Sequence, residues 1–159
     1  MRRRILLGLV IVVVIPIVAI QAVPYGRNHA NPPTRIEPRW DSDVTRVLSV
    51  RACFDCHSNE TVWPWYSNVA PVSWLIQRDV DEGRRALNFS QWDRRHGEAH
   101  ESAKTVRKGE MPPWFYSATR LEARLTAAER DALVRGLEAT LGGDGHRERE
   151  GKKPRKRKD

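Results

Sequence analysis

The chain has 159 residues, 40% hydrophobic and 30% charged, with a formal net charge of +8 and two cysteines. That length leaves room for one small domain and no more once the terminal segments are set aside. The charge suggests a nucleic-acid partner, but Arg2–Arg4 and the tail His146–Asp159 account for the whole excess, so the stretch between them is neutral and nucleic acid is excluded as the partner.

Taken from its start, the chain opens with Arg2–Arg4 and an uncharged run, Ile5–Val23. The run approaches the ~20 residues that cross a bilayer and exceeds the ~7–15 of a signal-peptide core. Residues 1–23 therefore read as a membrane anchor, an uncleaved single transmembrane helix in contact with lipid, with a cleaved signal as the alternative. The arginines lie on the cytoplasmic side of the cytoplasmic membrane and the rest of the chain on the periplasmic, outer side. Residues 24–37, rich in Pro, Asn and Arg, read as an extended linker.

Residues 38–143 carry the predicted domain, which is all-α. Asp41 or Ser42 caps a first helix with Val44, Val47, Leu48 and Arg51 at helical spacing. It runs into Cys53-Phe54-Asp55-Cys56-His57, a C-x-x-C-H phrase. Two thiols at this spacing can form thioethers with the two vinyl groups of one porphyrin, and the next imidazole then falls at the iron. One complete set with no cysteine left over predicts one covalent haem c and no disulfide. The competing uses of the cysteines are a redox dithiol or half of a zinc site, the latter wanting further ligands such as His96 and His100.

Beyond the motif, Val62–Tyr66 is turn-rich and aromatic. A second helix spans Val72–Leu87, with Trp74, Leu75, Ile76 and Val80 among charges, and Asp79–Arg85 forms a solvated face. Asn88–Arg95, with Phe89 and Trp92 three apart, reads as the start of another helix, and Glu98–Lys108 as a polar one ending at Gly109. Met111, the one internal methionine, lies in Gly109-Glu110-Met111-Pro112-Pro113-Trp114. Its thioether is a soft second iron ligand, and the prolines fix the backbone beside it. The alternatives to ligation are gap-filling in a core, or His96, His100 or an open site at the iron. Trp63 and Trp65, close to His57, are expected against the porphyrin. The last helix starts at a Thr126–Glu129 capping box, presents Leu133, Val134, Leu137 and Leu141 on one stripe, and stops at Gly142. Residues 144–159 form a basic tail expected to be disordered.

The phrases CFDCHSNETVWPWYSNVAPVSWLIQRDVDEGRRALNFSQW and GEMPPW, with the final amphipathic helix, resemble the small bacterial haem-binding domain proteins of cytochrome c type over Val47–Gly143. The resemblance implies that Cys53 and Cys56 hold the haem, that His57 is the proximal ligand and that Met111 is the distal one. It also implies redox work, since the family occurs beside cytochrome c and di-haem peroxidase domains. The expected function is that of a membrane-anchored mono-haem cytochrome passing single electrons to a redox partner protein at the membrane. Such a protein is not an enzyme in its own right, and no nucleophile–base pair is evident. The alternatives are a haem sensor of NO or CO, and an electron-delivery module for a peroxidase-type enzyme.

Overall fold

The computed structural model describes residues 2–94, 96 and 99–151. Seven α-helices occur among them: α1 (Arg2–Ile20), α2 (Asp43–Ala52), α3 (Phe54–His57), α4 (Val72–Ala86), α5 (Ser102–Arg107), α6 (Trp114–Thr119) and α7 (Ala127–Gly151). Short 3-10 turns at Trp65–Asn68, Ala99–Glu101 and Leu121–Ala123 join them. Among the described residues there is no strand, only an isolated bridge between Ile36 and Gln91.

The expected transmembrane helix is not supported, because no helix among the described residues is long and apolar enough to cross a membrane. Helix α1 has 19 residues, and the first three are arginines. Its uncharged remainder, Ile5–Ile20, reaches ~24 Å at ~1.5 Å per residue, short of a hydrocarbon core of ~30 Å. The apolar run is cut by a turn at Gln21, whose side-chain amide donates to the Ala70 carbonyl at 2.9 Å and accepts from the Ala70 N–H at 3.0 Å. With the span goes the single-pass placement in the cytoplasmic membrane.

Residues 24–40 contain no helix and are laid along the domain. Gly26 lies against the Ser73 backbone. His29 stacks on Trp63, ring centroids 4.7 Å apart, and hydrogen-bonds the Ser67 carbonyl at 3.1 Å. Asn31 donates to the Thr61 carbonyl, and Arg35 N–H to the Ser90 carbonyl at 2.8 Å. Trp40 then enters the core beside Phe89, at 5.1 Å.

The core lies between α7 and the pair α2 and α5. On α7, Leu133, Leu137 and Leu141 are all but inaccessible, as the stripe predicts. The Thr126–Glu129 box forms in both directions: Glu129 N–H donates to Thr126 Oγ1 at 3.2 Å, and Thr126 N–H donates to Glu129 Oε2 at 2.8 Å. Ser42 is the cap of α2 and accepts from the Thr45 N–H.

The α2 stripe departs from expectation. Val44 and Val47 are exposed, and the buried face is Thr45, Leu48, Ser49 and Ala52. Helix α7 approaches here so closely that a Cβ on Gly136 would overlap the Thr45 side chain. Close helix contact selects small residues, so apolarity misidentifies the face.

Asn88–Arg94 forms turns, not a helix. The Asn88 side chain accepts from the Ser90 N–H at 2.9 Å, a local bond that competes with helix formation. Phe89 is nevertheless buried, stacked on Phe54 at 5.5 Å. Helix α7 continues past Gly142 to Gly151. A glycine costs a helix ~1 kcal/mol against alanine but does not block it as proline does. Residues 152–159 of the basic tail lie outside the described residues.

Candidate haem site

Cys53 ends α2, and Phe54–His57 form the single turn of α3, so the whole C-x-x-C-H phrase is one short helical corner. Helix α4 packs on that corner at Gly83, where a Cβ would overlap the Cys56 carbonyl. A glycine in mid-helix is unfavourable by itself; here the close approach requires it. Two carbonyls of α4's last turn then face the imidazole. His57 Nδ1 lies 3.0 Å from Gly83 O and 3.2 Å from Leu87 O. With its hydrogen on Nδ1, the ring donates to these carbonyls and presents a free lone pair at Nε2. Burial lowers the pKa of His57, against a smaller opposing effect of the two carbonyls. A neutral, oriented imidazole is the form that binds a metal.

Cys53 and Cys56 are not bonded to each other. Burial pushes Cys53 up to about 12, with Cys56 adding to the effect, and Cys56 also to about 12, with the charges of Asp79 and Asp55 adding to burial. Redox-active dithiols show the opposite shift. Among the described residues no group of three or more His, Cys, Asp or Glu could hold a metal ion by itself. His96 is engaged elsewhere, stacked on Trp92 at 5.0 Å with its Nε2 3.1 Å from the Gln91 carbonyl, and His100 pairs with Glu101.

The residues present fit a haem. Two thiols and an imidazole with a free nitrogen share one corner. On the flank of α4 that leads to Gly83 and Cys56, Val72 and Leu75 stand one helical turn apart with 40% and 57% of their surface exposed. Trp65 in the adjoining turn and Trp114 at the start of α6 are 79% and 80% exposed.

The expected site residues are distributed unequally. Cys53, Cys56 and His57 come together. Trp63 is engaged with the chain itself, between His29 and Asn31, whereas Trp65 touches Tyr66 edge-on and is otherwise open. Met111 is 37% exposed, and its N–H donates to the Thr105 carbonyl at 3.3 Å. Gly109, with φ of 73°, ends α5 in the left-handed conformation that turns the chain into this arm.

Several residues at the site escaped the sequence reading. Arg84, assigned there to a solvated face, donates to the Ser58 and Ala30 carbonyls at 2.7 and 2.9 Å and to Asn31 Oδ1 and Thr61 Oγ1, both at 2.9 Å. It clamps residues 30–31 to the loop after His57. Asp55, between the two cysteines, accepts from the Val62 N–H at 2.8 Å, from the Tyr116 hydroxyl at 2.9 Å and from Arg120 at 2.9 Å. Burial, then the charge of Asp55, raises the Tyr116 phenol. The available signals were a glycine inside a charged helix and a carboxylate inside the C-x-x-C-H phrase.

An all-helical domain that gathers two thiols and a neutral, oriented imidazole at one corner is of the haem-binding class. A family model described as a haem-binding domain matches residues 15–139. The chain belongs to that family and binds haem. No curated protein and no solved structure gave a match.

Proposed function

We propose that the chain carries one haem bound covalently through Cys53 and Cys56, with His57 Nε2 and Met111 Sδ as its axial ligands. On this reading it passes single electrons to and from a redox partner protein and has no catalysis of its own. The observation that carries the reading is the pair of α4 carbonyls at His57 Nδ1, which fixes the tautomer and leaves Nε2 for iron. When bound, the haem supplies a one-electron iron centre, and a thioether opposite an imidazole raises its potential. The chain's own residues orient His57, keep it neutral and surround the thiols with apolar surface. A second reading, binding of a small gas ligand, draws on the exposure of Met111, which leaves the thioether displaceable.

Expression with c-type maturation machinery tests both readings. Covalent haem should survive denaturing electrophoresis in the native chain and vanish when Cys53 and Cys56 are both replaced by Ala. Its persistence in that variant would overturn the attachment. The ferric protein should show a weak long-wavelength band that Met111→Ala abolishes, and the ferrous protein should bind CO poorly. Ready CO binding by the unaltered chain without that band would favour the second reading.

A further inference from the structure

The arm Gly109–Pro113 that carries Met111 has weak support of its own. At its start it is tied to α5 by the Glu110 and Met111 N–H groups, which share the Thr105 carbonyl at 3.0 and 3.3 Å, and by an exposed Lys108–Glu110 ion pair at 3.5 Å. At its end comes α6, which contains no buried residue. Trp114 and Phe115 on that helix are 80% and 48% exposed. Apolar packing therefore does little to hold α6, and its polar side does the holding.

That side reaches the haem motif directly. The Tyr116 hydroxyl donates to Asp55 Oδ2, and Arg120, the residue that ends α6, donates to the same oxygen, each at 2.9 Å. Arg120 also donates to the Val62 carbonyl, while Asp55 Oδ1 takes the Val62 N–H. The Asp55 and Arg120 side chains are 16% and 19% exposed. A shielded carboxylate stripped of a donor is costly, which makes this contact stronger than an exposed ion pair. It joins positions 61 residues apart, and one partner is the residue between the two haem-attaching cysteines.

We propose that Asp55, Tyr116 and Arg120 are positioning residues. They form a latch that docks the Met111 arm onto the attachment motif and so sets how readily the thioether leaves the iron. The inference rests on Met111 being the second ligand. Opening the latch frees α6 and the arm together, and the haem then takes up external ligands.

The test uses the haem-loaded full chain and compares Tyr116→Phe, Arg120→Gln, Arg120→Lys and Met111→Ala with the native protein. Tyr116→Phe removes one oxygen and keeps the ring, so the fold survives. Three quantities are read: the CO association rate of the ferrous form, the Met-to-ferric-iron band, and hydrogen exchange over Gly109–Thr119. Tyr116→Phe and Arg120→Gln should speed CO association by about tenfold or more, weaken the band and accelerate exchange, with Arg120→Lys partly restoring all three. A structural role alone would lower thermal stability without touching the band or the CO rate. Native CO rates in Tyr116→Phe and Arg120→Gln, beside fast binding in Met111→Ala, would overturn the latch and leave the ligand assignment standing. A Met111→Ala protein indistinguishable from the native one would overturn the ligand assignment and the latch together.

Discussion

Around His57 the chain is held by the backbone of a 15-residue helix, by a glycine contact and by an arginine that bridges two loops. Around Met111 it is held by one shared carbonyl and the polar face of a six-residue helix. The difference is one of redundancy. On the His57 side, Gly83 and Arg84 come from α4 and Leu87 caps it, so losing one interaction leaves the others in register. On the Met111 side, α6 reaches the haem motif through Asp55, with Arg120 also bonding the Val62 carbonyl and Arg124 the Ser117 carbonyl. Redundant support keeps His57 in place when one contact is lost, and the Met111 arm has less of it.

Substitutions that break one side and spare the other sharpen this contrast. The largest effect is expected from Gly83→Leu, whose side chain has no room against Cys56. Overpacking at such a site costs ~3 kcal/mol or more, visible as a lowered denaturation midpoint together with loss of haem incorporation. Arg84→Ala removes four hydrogen bonds from a half-buried guanidinium and should cost ~2 kcal/mol. It should also expose residues 24–40 to proteolysis while leaving the arm's hydrogen exchange unchanged.

A smaller effect lies outside both sides, at the α7 cap. Glu129 is held at about 2 by the Thr126 backbone, by Arg51 and by the Thr126 hydroxyl. Because its folded pKa lies below the ordinary 4.5, its contribution is present above pH ~4.5 and is lost as the pH falls toward 2. Unfolding midpoints measured down through that window should fall for the native chain and fall less for Glu129→Gln, which has no carboxylate to protonate. The smallest change is expected from Trp114→Ala. Its exposed ring supports nothing in the fold, so unfolding free energy measured without haem should move by less than ~0.5 kcal/mol.

What could be read from the sequence was chemistry confined to a few adjacent residues. The spacing of Cys53, Cys56 and His57 and the Thr126–Glu129 box are of this kind, as is the Leu133–Leu141 stripe on a single helix. Where a local pattern served two structures, the reading failed. Val44 and Val47 have helical spacing yet face outward, because α7 packs against Thr45. Phe89 and Trp92 are three apart yet lie in turns, because Asn88 bonds Ser90 first. The run Ile5–Val23 is uncharged throughout, but Gln21 within it leaves the helix to bond Ala70.

The sequence by itself therefore determined that the chain binds haem and that its domain is helical, since both are legible in residue types at short, fixed spacings. Tertiary structure alone decided which atoms orient His57, what clamps residues 30–31 and what holds the Met111 arm. His57 meets Gly83 across 26 residues and Asp55 meets Tyr116 across 61. The physical reason is that a buried imidazole or carboxylate requires partners but does not name them. Packing supplies them, and here it chose the carbonyls of α4 and the polar face of α6.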